Sequence, residues 1–103
     1  MLKEVERASF EQDVKNGPVL LDFYSKTCGP CKMLSFMLND MEKEYGEKVS
    51  IIKIDFEENK DLVEEYKVEG YPTLIMLKDG EEVSRKAGLQ QKPVLKSMIE
   101  EVL

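Results

Sequence analysis

The 103-residue sequence predicts an α/β fold: a three-layer α/β/α sandwich on a mixed central sheet, in the order β-α-β-α-β-α-β-β-α. Three observations carry that prediction. Short apolar, β-rich runs at Val19–Tyr24 and Val49–Phe56 alternate with segments of helical spacing, the pattern of strands joined by right-handed crossovers and therefore parallel. Asp79-Gly80 is a strong two-residue hairpin signal, which makes the last two strands antiparallel and the sheet mixed. The almost continuous apolar character of Val19–Tyr24 marks a strand covered on both faces, so helices are expected on each side.

Each element follows from local signals. Leu2 to Val5 reads as a short first strand. Ser9 opens a helix with Gln12 as its capping-box partner and Phe10 and Val14 on one face. Gly17-Pro18 stops that helix. Lys32 to Tyr45 carries Leu34, Met37, Leu38, Met41 and Tyr45 at helical spacing and ends at Gly46. Leu62, Val63 and Tyr66 form a short helix closed before Gly70. Thr73 to Leu77 is a strand, and Glu82 to Ala87 returns after the hairpin. Pro93 suits the first turn of a last helix, with Val94, Leu95, Met98, Ile99 and Val102 facing inward. Repeats and low-complexity tracts are absent, and residues 1–103 are expected to form a single domain.

Composition excludes several functions. Fifteen Lys and Arg against 21 Asp and Glu give a net charge of −6, poorly suited to binding nucleic acid or anionic lipid. No apolar run approaches the roughly 18 residues of a membrane span. The first residues, Met1 to Arg7, alternate charged and apolar side chains without a hydrophobic signal core, so a cytoplasmic location is expected. The chain has no histidine, which removes imidazole catalysis and His-based metal sites.

Its two cysteines, Cys28 and Cys31, stand three apart as Cys28-Gly29-Pro30-Cys31, between a buried strand and a long helix. Open α/β sheets place their sites at the carboxyl ends of strands. A helix N-terminus directs unpaired N–H groups and a positive dipole end at Cys28, favouring its thiolate. Lys26 and Lys32 flank the motif and act in the same direction. Four readings compete. A structural disulfide closing about four residues would stabilise the fold by only ~2 kcal/mol. Zinc asks for four ligands, and the chain offers two thiolates; a cluster shared between two chains stays open. Two inert buried thiols would not need the turn-forming Gly-Pro between them. A reversible dithiol/disulfide couple uses every feature of the motif.

The chain resembles the thioredoxin family over essentially all of its length. The residues that carry the resemblance are Val19-Leu20-Leu21-Asp22-Phe23-Tyr24, Cys28-Gly29-Pro30-Cys31-Lys32-Met33, Lys53-Ile54-Asp55, Gly70-Tyr71-Pro72-Thr73, Asp79-Gly80 and Gly88. The resemblance implies a thioredoxin-like sandwich and a thiol-disulfide oxidoreductase that reduces protein disulfides. It implies a redox-active disulfide Cys28–Cys31, with Cys28 the exposed nucleophile and Cys31 the resolving thiol. Asp22 would be the buried carboxylate that moves the proton of Cys31. An Asp inside an apolar strand is in any case costly unless paired. Lys53 matches the family's lysine near that Asp. Gly29, Pro30, Tyr71, Pro72 (as a cis-proline) and Gly88 would form the substrate-binding face. The implied partners are a thioredoxin reductase and protein disulfides, with a monomeric chain and no bound cofactor; the sequence carries no nucleotide fingerprint.

Some residues depart from the family pattern. Thr27 and Tyr24 stand where tryptophans are usual, and Phe36 replaces a proline that often kinks the long helix. Tyr71-Pro72-Thr73 looks more like the catalytic domains of protein disulfide isomerases. The alternatives are an oxidase or isomerase on the same fold, or a redox-independent binding subunit.

Overall fold

The structure, a computed structural model, describes residues 1–103. The elements are β1 (Leu2–Glu4), α1 (Phe10–Asp13), β2 (Pro18–Tyr24), α2 (Gly29–Tyr45), β3 (Ser50–Asp55), α3 (Lys60–Glu65), β4 (Thr73–Lys78), β5 (Glu81–Ala87) and α4 (Lys92–Glu100). The five strands lie in the order β1-β3-β2-β4-β5. β3 pairs in parallel with both β1 and β2, while β4 runs antiparallel to β2 and β5 antiparallel to β4. The predicted order and the mixed sheet are both present.

The apolar run of β2 is explained by its central position. Leu20 packs on one face with Leu34, Leu38, Ile51, Leu74 and Ile99, beneath α2 and α4. Leu21 and Phe23 pack on the other with Ile52, Ile54, Phe10 and Leu62, beneath α1 and α3. Alternate residues of one strand thus feed two separate cores.

The hairpin forms as the sequence predicts. Asp79 and Gly80 are the two loop residues between Lys78 and Glu81, with φ of 52° and 88°, the positive values such a turn demands. Gly17 N–H donates to the Asp79 carboxylate and Asp79 N–H donates to Gly17 O, tying the turn to the start of β2.

Three expectations need correction. The Ser9–Gln12 capping box does not form, and α1 is a single turn. The Ser9 hydroxyl donates instead to the Asp13 carboxylate, which also accepts from Lys3. Pro18 does not merely end the preceding segment; it is the first residue of β2, where a missing N–H is tolerated. Finally, α2 starts at Gly29 and not at Lys32, so most of the cysteine motif is helical. Proline fits there because the first turn has no intrahelical use for its N–H.

Candidate functional site

The site is built where β2 ends. After Tyr24 the chain turns through Ser25, Lys26 and Thr27 and enters α2 with Cys28 as its N-cap. The Cys31 N–H, one of the helix's unpaired donors, donates to Cys28 Sγ at 3.1 Å. Cys28 is half-buried and Cys31 is 3% exposed. The two sulfurs are bonded to each other, with Cα atoms 5.2 Å apart. Gly29 and Pro30 are exposed beside them, and nothing lies within 4 Å of the space a Gly29 side chain would fill.

The flanking lysines differ. Lys26 forms an ion pair with Glu58 at 2.9 Å and approaches Asp55 at 3.6 Å, so its charge is partly neutralised. Lys32 forms no ion pair, and of the two it is the one whose charge remains free to favour a thiolate.

Asp22 lies on β2 with 0% exposure, and neither carboxyl oxygen has a hydrogen-bond partner. Burial pushes its carboxyl up to about 7, against the pull of Lys53 and with a further push from Glu4. Lys53 occupies the register position beside Asp22 on β3. Its ammonium nevertheless donates to Ser35 Oγ on α2 at 2.8 Å and sits 4.9 Å from the centroid of the Tyr24 ring. The Tyr24 hydroxyl donates to Glu4 at 2.8 Å. A shallow cleft runs over this region, lined by Tyr24, Cys28, Cys31, Ser35 and Lys53 among others.

The remaining predicted residues gather on the neighbouring strands. β2–β4 pairing sets Thr73 opposite Phe23, and β4–β5 pairing sets Ala87 opposite Thr73. The loop before β4 and the residue after β5 therefore sit at the sheet end from which the chain leaves toward Cys28. There the Tyr71–Pro72 peptide is cis, and Gly88 N–H donates to Pro72 O at 2.8 Å. Tyr71, Pro72 and Gly88 line one groove with Gly70, Thr73 and Ala87. Tyr71 is 44% exposed, and its ring meets that of Phe56 edge-on at 5.1 Å.

Sequence reasoning missed Glu4, Ser35 and Phe56. Glu4 carries a weak signal, as a charged residue in a short first strand. Ser35 and Phe56 carry none, because their contacts depend on how α2 and the loop after β3 fall against the sheet. No three or more Cys, Asp or Glu side chains are arranged to hold a metal ion.

An inner thiol buried in the first turn of a helix and an outer one capping it, at the end of a buried strand, define a thiol-disulfide oxidoreductase. The family model described as Thioredoxin matches residues 1–101. The thioredoxin of Bacillus subtilis (strain 168) is 41% identical over 91 residues, covering 88% of each chain. The thioredoxin of Pseudomonas aeruginosa is 40% identical over 98 residues, 93% of this chain and 91% of its own. Among solved structures, a mutant thioredoxin from Halobacterium salinarum NRC-1 superposes with a TM-score of 0.90 at 35% identity, over 98% of this chain and 89% of that one. The chain belongs to the thioredoxin family, and Cys28–Cys31 is its redox-active pair.

Proposed function

We propose that this protein is a cytoplasmic, monomeric, single-domain carrier that reduces protein disulfides, with Cys28 as attacking thiol and Cys31 as resolving thiol. One observation carries the division of labour: Cys28 is accessible and caps a helix, while Cys31 is buried in that helix's first turn. The Cys28 thiolate attacks a target disulfide, forms a mixed disulfide and releases one target thiolate. Cys31 loses its proton to the Asp22 carboxylate and attacks Cys28 Sγ. The Cys28–Cys31 bond forms, the second target thiolate leaves, and two electrons have passed to the target. A carboxyl poised at about 7 suits a group that must take and return a proton near neutral pH. Lys53 acts on that carboxyl through its charge. Gly29, Pro30, Tyr71, Pro72 and Gly88 form the face that receives the target chain. A thioredoxin reductase returns the dithiol to its reduced state.

Equilibration with glutathione mixtures of known ratio tests the direction of electron flow. A reducing carrier stays oxidised until reduced glutathione is in overwhelming excess. A couple already reduced by a modest excess would instead be an oxidant, and the carrier reading would fall.

A further inference from the structure

Lys53 and Asp22 are register partners on adjacent parallel strands, about 4.8 Å apart in such a sheet. A flexible four-carbon stem easily crosses that gap. A buried carboxylate with a lysine in reach gains from pairing, since a charge left alone in the interior is costly. Here the pair does not form. The ammonium is turned toward α2, where it donates to Ser35 Oγ at 2.8 Å, and it lies over the Tyr24 ring at 4.9 Å. That ring is itself fixed by the hydrogen bond from its hydroxyl to Glu4. Four elements thus contribute one residue each: Glu4 from β1, Tyr24 from β2, Lys53 from β3 and Ser35 from α2. Both Asp22 oxygens remain without a partner.

We infer that Ser35 is a positioning residue: together with the Tyr24 ring it holds the Lys53 ammonium off Asp22 and leaves that buried carboxyl without a direct ion pair. The hydroxyl supplies an acceptor for one of the three ammonium donors, and the ring face attracts the cation. The other surroundings of Asp22 offer no substitute. Lys53 and Glu4 are the charged groups that act on it from β3 and β1. β4 sets the uncharged Leu74 opposite it. On this side of the sheet α4 turns Leu95, Met98 and Ile99 inward, and α2 contributes Ser35 and Cys31. Moving one ammonium therefore decides how tightly Asp22 holds its proton. The consequence for turnover rests on the proposed role of Asp22 as proton acceptor.

The test uses the oxidised protein, in which neither cysteine titrates. The Asp22 carboxyl carbon is followed by NMR against pH in the parent, Ser35→Ala, Ser35→Thr, Lys53→Met and the Ser35→Ala/Lys53→Met double variant. Alanine is the better helix former, so the helix is not put at risk. In Ser35→Ala the freed ammonium turns to Asp22, and the titration midpoint moves down by about one pH unit. Ser35→Thr keeps the hydroxyl and the parent midpoint. Lys53→Met moves the midpoint up, and the double variant follows Lys53→Met. An unchanged midpoint in Ser35→Ala, or a downward shift that survives without Lys53, overturns the inference. The pH profile of protein-disulfide reduction by Ser35→Ala separates the two claims. A profile displaced with the midpoint supports both; a displaced midpoint with an unmoved profile supports the positioning role and removes Asp22 from the proton transfer.

Discussion

Asp22 and Lys53 sit side by side on β2 and β3, yet the lysine bonds to Ser35 and the carboxyl bonds to nothing. The arrangement sacrifices stability, because an isolated buried carboxyl resists ionisation. Such sacrifices gather at functional sites. The carboxyl lies on the strand that leads directly into the redox pair.

Asp22→Asn measures that sacrifice. Burial raises the folded carboxyl from 3.8 to about 7, so the folded chain holds the proton more tightly than the unfolded chain does. Its contribution to stability is whole below the unfolded value and is lost as pH rises through the folded one. Three pH units at about 1.4 kcal/mol each set a ceiling of about 4 kcal/mol. Urea unfolding should therefore find the variant about 2 to 4 kcal/mol more stable than the parent at pH 8 and nearly equal near pH 4. A variant less stable than the parent at pH 8 would mean that Asp22 is well paired in solution.

The features legible in the sequence are those that local chemistry decides. The apolar run from Val19 to Tyr24, broken only by Asp22, marks the central strand because both its faces are covered. Asp79-Gly80 marks the hairpin because few residues accept two successive positive φ values. Cys28-Gly29-Pro30-Cys31 marks the redox site because the spacing and the strand-to-helix junction are both local. The start of α2 is hidden, since Gly-Pro reads as a turn and here opens a helix. The Ser9 cap fails because a tertiary competitor, the Lys3–Asp13 pair, draws the hydroxyl away. Ser35 is invisible in the sequence: a lone serine on a helix acquires meaning only when strand register brings Lys53 beneath it.

Tyr71 tests recognition of folded targets. Its ring is 44% exposed at the edge of the groove and braced by Phe56. A large amphipathic ring covers an apolar target residue at little entropic cost, and the exposed backbone beside it offers an edge for an extended segment. Tyr71→Ile should leave the second-order rate constant with a small disulfide unchanged and alter that with a protein disulfide a few-fold, about 1 kcal/mol. Equal changes in both would assign the ring to the active-site structure. No change in either would make it a packing residue.

Gly88 tests the adjoining backbone. Its φ is +83°, and a side chain there would meet nothing within 4 Å. The cost of Gly88→Ala is therefore backbone strain alone, roughly 1 to 2 kcal/mol. Thermal or urea unfolding reads that loss. Asparagine, which tolerates the left-handed region better, should lose less. Reduction of a protein disulfide should slow in Gly88→Ala while that of a small disulfide does not, because the added methyl intrudes on the groove. A small-disulfide rate that falls equally would place the effect at the sulfurs.

The most direct test of the account is capture of the covalent intermediate. Reduced Cys28→Ser and Cys31→Ser proteins are each mixed with a protein disulfide, and intact mass reports mixed disulfides. With the accessible Cys28 attacking and the buried Cys31 resolving, Cys31→Ser accumulates a stable adduct through Cys28, and Cys28→Ser neither forms adducts nor reduces the target. Adducts that accumulate on Cys28→Ser and not on Cys31→Ser would contradict the assignment on which the mechanism stands.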